Sequence, residues 1–323
     1  MLALLANALL PIFAGLALGY FAGLRKIVDN HNVKSLITFL MSFALPCYLF
    51  SAIARTSHTY LFGQKRLTAV LAIVYLVTYA ITYYGARVWN RSPASDSAVI
   101  ALTLAFPNAT AVGLPLLQSA YGSNAAVSCA TAIAIGAVTI SPITLAVLEG
   151  AAGAGGAFSL ATRVCIAIWK AVKRPVVWAP VLGILAVLLR LKLASPVGRT
   201  LTIFADATAG VALFVTGLVV SAQRFHLDFR VCMSVLAKNI GQPALCLGLA
   251  RLLCLPLDQT RYVVLISAIP CGFFGVVFGK DFNSTPQIAS SSLISSYVIG
   301  IFTLAGWIIF LSHLHQNFSW SMS

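Results

Sequence analysis

Long apolar runs follow one another along almost the whole chain, separated by short polar stretches. A bilayer's hydrocarbon core requires helical spans of about 20 apolar residues. Ten such runs can be drawn, at residues 4–24, 33–54, 67–89, 98–118, 125–148, 176–191, 201–222, 231–254, 262–279 and 287–311. The pattern therefore predicts an all-α polytopic membrane protein with ten transmembrane helices.

Two of these runs are interrupted near their middles by helix-breaking residues. The fourth is broken at Pro107, which has no backbone N–H and whose ring clashes with the preceding turn, and Gly113 and Pro115 weaken the turns that follow. The ninth is broken at Pro270 and Gly272. Such breaks persist at membrane depth only where they are buried in protein or line a wet cavity, and a pair of them in corresponding positions points to a secondary transporter's site. We therefore predict a carrier with its site at the two breaks.

A Gly/Ala-rich stretch at 150–158 separates two sets of five predicted spans. Because five is odd, the second set must enter the membrane from the opposite side, so the sets are predicted to be inverted repeats. The predicted units are residues 1–149, the first repeat, and 175–312, the second. A flexible linker with a basic segment suited to the membrane interface occupies 150–174, and a short tail occupies 313–323.

Charge and composition agree with a membrane protein. Of the 323 residues, 60% are apolar and 9% are charged. The formal net charge of +14 would suggest a nucleic-acid ligand in a soluble chain, but these basic residues lie between apolar runs, so no nucleic-acid partner is expected. With the N-terminus outside, 13 basic residues fall in inner loops and 8 in outer loops, which favours both termini outside. The seven cysteines form no CxxC pair, so no metal or other cofactor is predicted.

Polar groups near the first break are candidates for substrate binding. The Asn108 side chain can cap the half-helix that follows, and its amide can also donate to a substrate carboxylate. A cap without a substrate contact is the alternative. Thr110 is a second candidate close by. The half-helices that begin after Pro107 and Pro270 start with unpaired N–H groups and partial positive charge, which suits an anionic ligand.

Three further polar residues fall within predicted spans. Lys238 lies about seven residues into the eighth span, where cations are costly and usually functional; the alternative is that it snorkels to the interface. Gln242 lies one helical turn further on the same face. Asp206, near the start of the seventh span, could bind a coupling cation or take a proton, or it could simply face water at a helix start.

Four motifs in order then indicate a family. They are FALPCYLF at 43–50, Asn108-x4-Gly113-x-Pro-Leu in the fourth span, ALFVTGL at 212–218 and IPCGFFG at 269–275. Together they resemble the auxin efflux carrier family over essentially the whole chain. The resemblance implies two inverted five-helix repeats, distantly like the bile-acid symporters, with spans 1, 2, 6 and 7 as a scaffold and broken helices 4 and 9 crossing in a mobile domain. The candidate substrate-binding residues are Pro107, Asn108, Thr110, Gly113, Lys238, Gln242, Pro270, Cys271 and Gly272, with Asp206 a candidate for coupling.

The same motifs bear on substrate and location. The 269–275 motif looks like a bacterial branch of the family associated with malonate, whereas plant hormone carriers have Asn-Pro-Asn where this chain has Phe106-Pro107-Asn108. We predict a non-enzymatic secondary transporter of small organic anions, with malonate or a related dicarboxylate as leading substrate. The alternatives are an auxin-like or other monocarboxylate efflux carrier and a sodium-coupled bile-acid-type symporter. A channel or an intramembrane enzyme is disfavoured, the latter because the chain has no HExxH and no paired intramembrane aspartates.

The resemblance also implies partners. It predicts a homodimer formed through the scaffold, in the bilayer of a bacterial inner membrane. Proton coupling, sodium coupling and uncoupled flux all remain open at this point.

Overall fold

The computed structural model describes residues 2–30, 33–151, 169, 173, 175–191 and 194–318. Within these ranges the regular elements are helical, and one isolated antiparallel β-bridge joins Pro107 to Cys271. The predicted linker at 150–174 lies almost wholly outside the described residues, as does the end of the predicted tail, 319–323.

Nine α-helices and two π-helical segments make up the described part of the first half. They are α1 (Leu2–Leu24), α2 (Lys34–Phe39), π1 (Leu40–Ala44), α3 (Leu45–Ala54), α4 (His58–Gly63), α5 (Lys65–Val88), α6 (Ala94–Ala105), π2 (Ala109–Gly113), α7 (Leu114–Tyr121), α8 (Ser123–Val138) and α9 (Ile140–Ala151).

The described part of the second half continues in the same manner. Its elements are α10 (Pro175–Leu188), α11 (Ser195–Ser221), α12 (Phe229–Leu236), π3 (Ala237–Gly241), α13 (Gln242–Leu252), α14 (Leu257–Ala268), α15 (Phe274–Asp281) and α16 (Gln287–Phe318).

Several helices meet the requirements for crossing a membrane. Among the described residues, five helical runs are both long and apolar enough: Lys34–Ala54, His58–Val88, Asn124–Ala151, Ser195–Ser221 and Gln287–Leu314. Shorter apolar helices occupy Leu9–Leu24, Ala94–Ala105 and Pro175–Leu188. The fold is thus that of a helical membrane protein, while the count of ten crossings and the inverted arrangement stay predictions.

Close glycine contacts join α1 to α11 and α10 to α3, and α11 also packs against α3; we call these four the scaffold helices. A Cβ at Gly19 would meet the carbonyl of Phe214, and a Cβ at Gly217 would meet the carbonyl of Leu16, so α1 and α11 approach backbone to backbone. These glycines of α1 and α11 therefore serve helix packing. At Gly183 of α10, a Cβ would lie 3.0 Å from the Cβ of Ile53. Small residues allow such approach between membrane helices.

The helices that precede the two breaks lie at the centre of the molecule. All the residues from Ser97 to Ala105 are buried, as are those from Tyr262 to Ala268. Helix α6 packs against α5 on one side and α15 on another. Because these helices are enclosed on all faces, the chain that follows each of them starts its break inside protein, away from lipid.

Candidate functional site

The two breaks lie against each other and satisfy each other's backbone groups. The Asn108 N–H donates to the Pro270 carbonyl at 3.0 Å, and the Gly272 N–H donates to the Phe106 carbonyl at 2.8 Å. A Cβ at Gly272 would collide with that same Phe106 oxygen, so only glycine permits this approach. The structure therefore brings the proline breaks of the two chain halves into one buried junction.

Asn108 uses its whole side chain at this junction. Its Oδ1 accepts from the Ala111 N–H at 3.3 Å, which caps π2. Its Nδ2 donates to Thr216 Oγ1 at 2.9 Å and to the Tyr297 hydroxyl at 2.6 Å. Asn108 is fully buried. Asn108 is therefore a cap, and its side chain also links the first break to α11 and α16.

The second break is held by α16. The Cys271 N–H donates to Ser296 Oγ at 3.1 Å, and the Asn239 side chain donates to the Ser296 carbonyl at 3.0 Å. Trp307 in turn donates its indole N–H to the Asn239 carbonyl. These contacts connect the junction to π3, because Asn239 lies within that segment.

Lys238 is buried in the protein and does not snorkel to an interface. Its Nζ donates to Gln242 Oε1 at 2.5 Å and to the Ser267 carbonyl at 2.8 Å. Gln242 Nε2 donates to the Ala105 carbonyl at 2.8 Å. Lys238 and Gln242 therefore contact the C-terminal ends of α14 and α6, on the side of the junction that precedes both breaks.

The remaining predicted site residues lie in different surroundings. Thr110 is buried with no hydrogen-bond partner for its hydroxyl. Gly113 is closely packed, because a Cβ there would lie 2.8 Å from both Cys129 Sγ and Ile269 Cδ1. The Asp206 side chain is exposed on α11, ten residues before Thr216, which corresponds to about 15 Å of helix. The described geometry places it apart from the junction.

A cavity of about 450 Å³ approaches the junction from one end of the molecule. Lys34 at the start of α2, Pro175 at the start of α10 and Asp281 at the end of α15 line it, so its mouth lies among helix ends. Its walls are largely apolar, and they include Ile37, Met41, Ile133, Val176, Val219 and Phe274. Lys280 contributes a second exposed ammonium group.

Phe106 separates this cavity from Asn108. Its ring stacks on that of Phe274, with centroids 5.4 Å apart, and lies 6.0 Å from the ring of Tyr75. Phe106 lines the cavity, whereas Asn108, two residues further, is fully buried. In this arrangement the cavity ends one residue short of the proline break.

Sequence reasoning missed Thr216, Tyr297 and Asn239 as members of the junction. Each is a polar side chain within an apolar run, and this was the only feature of the sequence that could have indicated their place in the junction. Hydroxyl groups are too common in membrane helices for the signal to single out these residues.

Buried, mutually paired breaks within a bundle of apolar helices define a helical membrane protein of the transporter class. The family model described as "Membrane transport protein" matches residues 4–308. The chain belongs to this family of membrane transporters, the auxin efflux carrier family, which confirms the resemblance predicted from its motifs.

Individual relatives agree with this assignment. The chain is 30% identical over 318 residues to the uncharacterized transporter YfdV of Escherichia coli (strain K12), covering 97% of this chain and 99% of the relative. The same values hold for YfdV of Shigella flexneri. Auxin efflux carrier component 8 of Arabidopsis thaliana is 26% identical over 159 residues, which cover 46% of this chain and 43% of the relative.

Proposed function

We propose that this membrane transporter carries small organic anions, with malonate or a related dicarboxylate as the leading substrate, by alternating access around the paired breaks. The observation that carries the proposal is the position of Asn108. It joins the first break to a scaffold helix and to α16 through the two donors of one buried amide. A substrate that took one of these donors would alter the contact between the junction and the scaffold helices.

The charge distribution supports an anionic substrate. The first turn of α15 follows the second break and has backbone N–H groups without helical partners. Such helix starts carry partial positive charge. At the mouth of the cavity, the exposed Lys34 and Lys280 would raise the local concentration of anions.

The single-sided cavity supports alternating access. Lys34 and Lys280 lie at helix ends on the side that the charge count predicts to be inside, so this arrangement corresponds to an inward-facing carrier. In the cycle that we propose, a carboxylate passes Phe106 and replaces Thr216 as acceptor from Asn108. The junction is then released from α11 and can move relative to the scaffold helices.

A monocarboxylate with an apolar body is the second candidate substrate. The mainly apolar walls of the cavity favour it, since a dicarboxylate would leave those surfaces without a complementary group. The two candidates differ in a competition assay. If malonate is the substrate, an excess of unlabelled malonate or of another short dicarboxylate abolishes uptake of the labelled substrate. If the apolar body is required, aromatic or branched monocarboxylates compete with the labelled substrate and malonate does not.

Uptake into proteoliposomes tests the proposed function. Purified protein is reconstituted, and uptake of labelled malonate is followed under proton, sodium and voltage gradients imposed separately, with protein-free liposomes as the control. We expect saturable, protein-dependent uptake under at least one condition. Uptake equal to the control under every gradient, for malonate and for the monocarboxylate panel, would contradict the proposal.

A further inference from the structure

Each break leaves a backbone carbonyl without its helical donor. In an unbroken helix the Ser267 carbonyl would accept from the Cys271 N–H, and the Ala105 carbonyl from the Ala109 N–H. Here the Cys271 N–H donates to Ser296 Oγ and the Ala109 N–H donates to the Pro107 carbonyl. The two broken helices therefore present unpaired carbonyl oxygens at buried C-terminal ends.

Lys238 and Gln242 pair with these two oxygens. The Lys238 Nζ lies 2.8 Å from the Ser267 carbonyl oxygen and 2.5 Å from Gln242 Oε1. Gln242 Nε2 donates to the Ala105 carbonyl at 2.8 Å. Since Nε2 is thereby committed as a donor, Oε1 must be the atom that faces the ammonium group. One lysine thus reaches both broken helices, directly at α14 and through Gln242 at α6.

The groups that accept from Nζ are two neutral oxygens, and neither is a carboxylate. The C-terminus of a helix carries partial negative charge, and two such ends converge here. The two oxygens that accept from Nζ are a backbone carbonyl and a side-chain amide, both uncharged. Carbonyl and amide oxygens beside half-helix C-termini are the groups that coordinate monovalent cations in transporters with broken helices.

We propose that the Lys238 ammonium is a built-in cation that occupies a monovalent-cation site between the ends of α6 and α14. Lys238 is then a positioning residue for the two breaks, and substrate contacts fall to groups on the other side of the junction. The consequence for coupling is specific. Because the site is filled by a covalently attached cation, a free sodium ion has no place there, and sodium binding at this site cannot drive transport.

The test measures thermal unfolding of purified, reconstituted protein in the absence of any organic anion. Sodium chloride, ethylammonium chloride and N-methyl-D-glucamine chloride are compared at equal ionic strength. The variants are Lys238→Ala, which empties the site; Lys238→Met, which fills the space without charge; and Lys65→Ala, which removes an exposed lysine at the start of α5. Since no substrate is present, failure here and failure of the uptake assay are distinguishable.

We expect sodium or ethylammonium to raise the Tm of Lys238→Ala saturably, by about 3 °C or more relative to N-methyl-D-glucamine. The parent, Lys238→Met and Lys65→Ala show no such rise. A sodium-dependent Tm in the parent would overturn the proposal. A folded Lys238→Ala whose Tm neither cation raises would also overturn it, as would an equal rise of the Tm in Lys238→Met. So would a Lys238→Ala that fails to fold in every salt, because the proposal requires a free cation to restore the site.

Discussion

The side-chain amide of Asn108 donates a 2.9 Å hydrogen bond to the hydroxyl of Thr216. The Thr216 hydroxyl donates its proton to the Ala212 carbonyl, 2.6 Å away within α11, so its oxygen can only accept from Asn108. The direction of the contact is therefore fixed, and it runs from the first break to a scaffold helix. Any ligand that needs a donor from Asn108 must compete with Thr216 or with Tyr297.

Replacing Thr216 by valine keeps the shape of the side chain and removes this acceptor. One N–H of the Asn108 amide then lacks a protein acceptor, so it can bind an anion without first breaking a hydrogen bond to Thr216. Since a neutral hydrogen bond contributes about 0.5–1.5 kcal/mol, we expect Thr216→Val to lower the Kd for malonate by about 2- to 12-fold. Calorimetric titration of the purified variant checks this value.

Thr208→Val is the matched control. Thr208 is also buried on α11, but its hydroxyl donates to the Phe204 carbonyl of its own helix. This variant is expected to bind malonate with the parent's Kd. Equal affinity of Thr216→Val and the parent, or weaker binding by Thr216→Val, would contradict a competition between the scaffold hydroxyl and the substrate.

The close contact between α1 and α11 predicts a pair of unequal glycine substitutions. A methyl group at Gly217 would press on the Leu16 carbonyl and the Tyr20 amide nitrogen, whereas one at Gly210 meets nothing within 4 Å. Overpacking costs about 1–3 kcal/mol, so Gly217→Ala should lower the Tm by about 3–10 °C. Gly210→Ala should leave the Tm unchanged or raise it slightly, because alanine favours helix. Thermal unfolding of the two variants side by side tests this difference, and equal shifts of their Tm would refute the packing argument.

Cysteine labelling tests both the cavity and the predicted orientation. In a background with the native cysteines replaced by alanine, Ser42→Cys lies in the cavity that Phe106 lines, and Thr202→Cys lines a separate cavity beside Arg55 and Arg199. We expect an impermeant thiol reagent to modify Ser42→Cys only from inside and Thr202→Cys only from outside. Malonate should slow the first reaction and leave the second unchanged. The reverse sidedness would mean that the termini are inside.

The positions of the breaks could be predicted from sequence, but their contact could not. Pro107 and Pro270 interrupt helices for a local reason, the missing N–H, which is visible in any apolar run. The bridge between Pro107 and Cys271 depends on residues more than 160 positions apart, and no local pattern encodes that. The family motifs implied a crossing of these helices, and the structure supplies the hydrogen bonds that join them.

The burial of Lys238 decides between the two orientations that the sequence left open for its side chain. The sequence placed the residue some 10 Å into a span, which fits either a snorkelling side chain or an inward-facing one. The choice depends on whether neighbouring helices provide acceptors, here the Ser267 carbonyl and Gln242. Such acceptors arise only because α14 ends at a break. The homodimer, the inner-membrane location and the malonate specificity have no comparable structural test and stay predictions.

Binding of malonate to Asn108→Ala, measured by calorimetry on folded, purified protein, tests the central claim most directly. A hydrogen bond to a charged group contributes about 1.5–3 kcal/mol, so the Kd should rise by about 10- to 150-fold. Asn30→Ala is the control, because Asn30 also donates a 2.9 Å hydrogen bond to a hydroxyl of α11, that of Ser221, at a distance from the breaks; it should bind as the parent does. If the parent binds malonate and Asn108→Ala binds it equally well, the substrate site is not at the paired breaks.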